Sequence, residues 1–242
     1  MRSAVSTLIV SVLLLPFLVI SILPTTVSAA SRRGGDVQIY SLQILVNQAY
    51  QMALEGAGLV IVDQMGKGGI FGGLMGKRGW LMIDQGQSLI SRSLDGEEMK
   101  QLESEGRGND PLTVTVRENA RIMLEGIGLI RDYLGIKSEE PNLSRMHSLF
   151  ILLNHGMKMS TDGINMIMLG RSIDTGSSRE LLQNRGRNMV KDARIFIIRL
   201  ADNETMQSLH AAGHNPSQDR AMGILHKSIG LSLKLIDRLA RL

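Results

Sequence analysis

Residues 47–59, NQAYQMALEGAGL, are answered by residues 154–166, NHGMKMSTDGINM. Asn47, Met52 and Gly56 find Asn154, Met159 and Gly163 at a separation of 107 positions, and Met99, Leu102 and Gly106 find Met206, Leu209 and Gly213 at the same separation. Gly86 in DQGQSLI pairs with Gly186 in NRGRNMV, and Ile127-Gly128-Leu129 with Ile229-Gly230-Leu231, at offsets shifted by small insertions. Around these anchors apolar residues recur three and four apart, the helical period. Aromatic residues make up only 3% of the chain, which leaves little for strands. The expected fold is all-α, with tandem duplicated four-helix modules over residues 37–136 and 142–241. Two bundles, or one pseudo-symmetric eight-helix bundle, both satisfy the pattern.

The first module predicts helices near 39–66, 79–94, 96–105 and 111–134, and the second near 143–170, 178–200, 203–212 and 217–241. Asp95 and Asp202 stand at equivalent places where a carboxylate accepts N–H bonds at a helix start, and Glu98 adds a capping-box pattern. Asp110-Pro111 and Asn215-Pro216 each set a capping side chain before a proline suited to the first turn. Gly106 and Gly213 read as C-terminal stops of the short helices. Pro141, in KSEEPNLS, marks the handover between modules.

Arg2, the apolar run from Leu8 to Leu23 and the small residues ending at Ala29 and Ala30 form a secretory signal, residues 1–29. Pro16 and the polar TTVSA tail favour cleavage over retention as an anchor. The expected location is periplasmic or secreted. The chain has no cysteine, which removes disulfides, thiolate metal sites, iron–sulfur clusters and covalent haem attachment. A formal charge of +4, with both signs interspersed, gives no basic stripe and no case for nucleic acid. Apolar surface between modules would favour a homodimer.

All five histidines lie in the second module. His155, Met159, Asp162 and Met166 follow one another at spacings of four, three and four, so they share a helical stripe, and His226 on the last helix is placed to face it. Imidazole with thioether suits copper, and one His with one Met suits a non-covalent haem. Core packing is the competing reading, because Gln48, Met52, Glu55 and Leu59 fill the same stripe in the first module. Glycines inside the helices, in LEGAGL (54–59), LEGIGL (124–129) and at Gly163, each cost about 0.5–1 kcal/mol relative to alanine. Close helix approach offsets that cost, and a flat ligand on the glycine face is the alternative.

The stretch 66–80, GKGGIFGGLMGKRGW, lacks the Ser or Thr and the preceding strand of a phosphate-binding loop. Its glycines, with Ile70, Phe71, Leu74, Met75 and Trp80 beside Lys77-Arg78, suit contact with a membrane surface or a protein partner. No Gly-x-Ser-x-Gly or His-Glu-x-x-His occurs, so no enzyme is expected.

The pattern NHGMKM (154–159) with Asp162-Gly163, GRNM (186–189), MQSLH (206–210) and LHK (225–227) resembles a loose family of exported bacterial helical proteins rich in methionine and histidine, and is more distantly similar to helical-bundle metal carriers. Arg185 stands where that pattern tends to carry a histidine. The resemblance implies export and a helical bundle, and it implies no activity. The expected function is therefore non-catalytic. One form is a cell-envelope bundle binding a transition metal or haem in its second module. The other is a scaffold that docks through residues 66–80.

Overall fold

Leucine, isoleucine and methionine at helical spacing produce helices throughout the computed structural model, which describes residues 33–66, 73–136, 142–173 and 176–241. In chain order these are α1 (Arg33–Gln64), α2 (Leu74–Asp95), α3 (Glu97–Ser104), α4 (Pro111–Leu134), α5 (Leu143–Ser172), α6 (Ser177–Ala201), α7 (Glu204–Ala211) and α8 (Arg220–Leu239). The protein is all-α, with no strand among the described residues. None of the helices among those residues is long and apolar enough to cross a membrane. The segment 1–29, expected to be a secretory signal, lies outside the described residues, as do Ile70, Phe71 and Pro141.

The glycines set how closely α1 packs on α2 and α5 on α6. A Cβ added to Gly56 would lie 2.5 Å from the Gly79 carbonyl oxygen, and one on Gly79 would lie 2.5 Å from that of Gly56. Gly163 and Gly186 meet in the same reciprocal way, with Met189 and Val190 beside Gly163 as Met82 and Ile83 are beside Gly56. The expected pairing of Gly86 with Gly186 is therefore corrected. Gly186 corresponds in its contacts to Gly79, and Gly86 instead makes room for Ala49 and Ala53 of α1. Close approach accounts for these glycines, whereas Gly58, Gly128 and Gly230 face open space.

Residues Gly35–Leu242 form one compact unit. Its main core runs from Val46 and Tyr50 on α1, through Ile83, Met123 and Tyr133, to Phe150, Met157, Ile197 and Leu225. A smaller cluster of Ile39, Leu42, Met99, Leu102 and Val116 seats α3 on α1 and α4. The antiparallel meeting of α1 and α5 is polar at its edges. Gln51 donates to Thr161 and to Asp162, both at 2.7 Å, and Lys158 pairs with Glu55.

The short helices end as expected. Gly106 and Gly213 have φ of 75° and 88°, a region that costs glycine least. Arg107 N–H donates to the Leu102 carbonyl, and His214 N–H to that of Leu209, the bonds of a Schellman closure. The helix starts at 111 and 143 are as expected, and the others differ by a residue or more. Gly96, not Asp95, caps α3 and makes no side-chain cap bond, so Glu98 belongs to no capping box. Asn203, not Asp202, caps α7 and accepts from Met206 N–H at 2.7 Å. Asn215 organises a turn by accepting from the N–H groups of Ser217 and Gln218, and Asp219 caps α8 by accepting from Met222 N–H at 3.0 Å. The helix expected from 217 accordingly starts at Arg220.

Candidate functional site

The stripe His155, Met159, Asp162 and Met166 does run along α5, but the chain does not close it into a ligand shell with His226. Leu153 and Met157 of α5 line a small cavity together with Ser228, Leu231, Ser232 and Leu235 of α8. His155, two residues from each of those α5 side chains and so about 200° round the helix, is exposed and lies edge-on to Phe196 of α6, 6.3 Å between ring centroids. Met159 and Met166 are half-buried, and Asp162 is engaged by Gln51. His226 is turned elsewhere and pairs with His210 of α7. Among the described residues no three His, Asp or Glu side chains gather as a metal site would require. The cavity itself, of about 10 Å³ and also lined by Tyr50, Gly126 and Phe150, is the size of a single water and not of a haem.

The other four histidines instead occupy helix junctions. His147 is buried on α5 and shares a 3.0 Å hydrogen bond with the Tyr133 hydroxyl through Nδ1. Burial holds its ionisation below the usual imidazole range. His214 donates through Nδ1 to the Asp219 carboxylate at 2.5 Å, while Nε2 accepts from Asn142 at 2.8 Å. It thereby ties the end of α7 to the starts of α8 and α5. Arg107, 107 positions earlier, ties the end of α3 to the starts of α4 and α1 through Asp110 at 2.9 Å and Asp36 at 2.7 Å.

The next junction shows a sharper contrast. On α3 and α4, Arg117 donates to Glu103 at 2.7 Å and to the Met99 sulfur at 3.6 Å. On α7 and α8 two imidazoles meet, His210 and His226, with centroids 5.6 Å apart and planes 67° apart. His210 is exposed and His226 half-buried, and the Nε2 atom of His226 is enclosed without a hydrogen-bond partner. Burial, with the neighbouring His210, holds the ionisation of His226 below its usual range.

No known protein family, curated protein or solved structure matches this chain. Its chemistry is to be read from its own residues.

A polar feature that sequence reasoning passed over is a chain of buried amides. Asn119 donates to Gln43 at 3.1 Å, Gln43 to Asn47 at 2.8 Å, and Asn47 to Asn165 at 2.8 Å, with Gln43, Asn47 and Asn119 fully buried. The signal was available, since three amides fall on faces whose other residues are apolar. The chain of bonds joins α4, α1 and α5.

Of the residues expected to touch a membrane or partner, Leu74 is 65% exposed at the first turn of α2. Met75 is half-buried, and Trp80 packs against the core. Leu81, not among the expected residues, is 55% exposed on the stripe that carries Leu74 and Lys77. Leu181, 107 positions after Leu74, is 68% exposed at the first turns of α6, with Arg185 and Arg187 exposed one to two turns on.

Proposed function

We propose that this is an exported, non-catalytic bundle of the cell envelope, built from tandem duplicated four-helix modules, that docks on an anionic lipid surface through the first turns of α2 and α6. The duplication is supported by the reciprocal approaches of Gly56 with Gly79 and Gly163 with Gly186, related by one separation of 107. It is supported also by the α1–α5 contact, where Gln51 with Asp162 and Lys158 with Glu55 exchange roles as residues across a two-fold axis do. Export rests on the N-terminal segment with Arg2, the apolar run 8–23 and Ala29.

The single observation that carries the docking reading is the exposure of Leu74 and Leu181 at matched positions. Leaving a leucine in water forgoes about 1.5–3 kcal/mol that burial would provide. Its repetition beside cationic residues, Lys77 in one half and Arg185 in the other, suits the boundary between acyl chains and anionic headgroups. Residues 30–242 are expected to float with vesicles rich in phosphatidylglycerol and not with pure phosphatidylcholine. Leu74→Ser with Leu181→Ser should abolish flotation while leaving the unfolding midpoint in place. Failure of the unaltered chain to float, or equal flotation of the double variant, would overturn the reading. A transition metal in the second half is favoured by a separate observation, the pairing of His226 with His210.

A further inference from the structure

We infer that His210 and His226 form a binding site for a single transition-metal ion, copper in preference to zinc, that clamps α7 onto α8. The two rings stand 5.6 Å apart between centroids, within the span of two imidazoles that share one ion through metal–nitrogen bonds of about 2.0–2.1 Å. The enclosed Nε2 of His226 has no protein partner. A buried polar atom left unpaired is costly, and a shared ion would satisfy it. Two protonated rings would repel at this separation, so a proton on each is not an alternative clamp.

The corresponding junction in the first half indicates what is needed here. Glu103 on α3 and Arg117 on α4 are joined by a charged bond, and the Met99 sulfur accepts a second bond from the same guanidinium. His210 follows Glu103 by 107 positions and Met206 follows Met99 by 107, while His226 follows Arg117 by 109, the two extra residues lying between His214 and the cap Asp219. An opposite-charge pair has thus been replaced by two neutral donors on the same two elements. Two imidazoles attract one another weakly, but both coordinate the same classes of ion. Met206, buried one turn before His210, offers a thioether as a third donor, and that softness places copper above zinc. This site shares only His226 with the stripe on α5 and stands independently of docking at a lipid surface.

Calorimetric titration of residues 30–242 with Cu(II), Zn(II) or Mg(II) chloride tests the inference, alongside thermal unfolding with each salt and the Cu(II) electron paramagnetic resonance spectrum. One copper per chain is expected, with nitrogen hyperfine structure, a raised unfolding midpoint, weaker binding of zinc and none of magnesium. Affinity should fall as pH drops through the imidazole range, because the ligands must lose their protons. His210→Gln changes an exposed residue and preserves the fold. It should weaken copper binding beyond the roughly 10–100-fold that loss of an outer-shell partner costs. His226→Gln should do the same, and His155→Ala should leave binding unchanged. Absence of stoichiometric copper binding, or binding that survives His210→Gln, or binding lost in His155→Ala, would overturn the site.

Discussion

Gly163 and Gly186 pass one another so closely that each backbone carbonyl occupies the space a side chain on the other would need, at 2.7 Å for a Cβ placed on Gly163. Helices joined in this way cannot accept even a methyl group without moving apart. Gly163→Ala is therefore expected to destabilise by about 1–3 kcal/mol, the usual cost of overpacking. Gly58→Ala, Gly128→Ala and Gly230→Ala, at positions facing open space, should each stabilise by about 0.5–1 kcal/mol. Urea unfolding of the four variants separates the classes by sign. A stabilising Gly163→Ala would show that the approach is not tight.

The helices were legible because several independent signals agreed. Apolar period and the first-turn proline Pro111 both mark α4, whose expected span 111–134 is the one observed, although Asp110 before it makes no side-chain cap bond. Caps were less legible where two competent residues adjoin, as at Asp202-Asn203. Either side chain can cap, and the choice depends on which residue takes the extended backbone conformation, here Asn203 at φ −73° and ψ 163°. The partners of the histidines were not legible from one helix at a time. Period places His226 on a face of α8 but does not say whether α5 or α7 meets that face. The matching positions earlier in the chain did carry a signal, since Glu103 and Arg117, 107 and 109 residues before His210 and His226, are of opposite charge and paired. Seeing it requires allowing for the two more residues that separate His214 from Asp219 than separate Arg107 from Asp110.

The revised caps make a direct comparison. Asn203→Ala and Asp219→Ala each remove an acceptor from a helix start and should cost about 0.5–2 kcal/mol. Asp202→Ala and Asp95→Ala remove side chains that cap nothing and should stay within about 0.5 kcal/mol. Asp219 also accepts from His214, so its loss should lie toward the upper end. Thermal unfolding of the four variants would reject this assignment if Asp202→Ala proved the costlier of its pair.

Asn47 is the hinge of the buried amide chain, accepting from Gln43 and donating to Asn165. Asn47→Leu removes both bonds at once and leaves the Gln43 donor buried and the Asn165 acceptor half-buried without their partner. The expected loss is about 1–3 kcal/mol for each group left unpaired. It should appear as a lower urea midpoint with unchanged denaturant dependence, as for a loss of stability without a change in the surface exposed. Asn47→Leu as stable as the unaltered chain would mean that the amides are dispensable to the fold.

The two depressed histidines make stability depend on pH with a definite sign. Burial holds His147 below the ordinary imidazole value of 6.5, and burial with the neighbouring His210 does the same to His226. Above about pH 6.5 both rings are neutral whether the chain is folded or not, and they leave stability flat. As pH falls below that value the unfolded chain takes up protons that the folded chain resists, so the unfolded state gains and stability declines until the folded-state values are passed. The metal-free protein should therefore unfold at lower urea at about pH 5.5 than at about pH 7.5. The variant carrying both His147→Gln and His226→Gln removes the titrating groups, and Gln at 147 still offers the Tyr133 hydroxyl a polar partner. Its midpoint should change less between the two conditions. An equal fall in the double variant would assign the acid sensitivity to groups other than these two histidines.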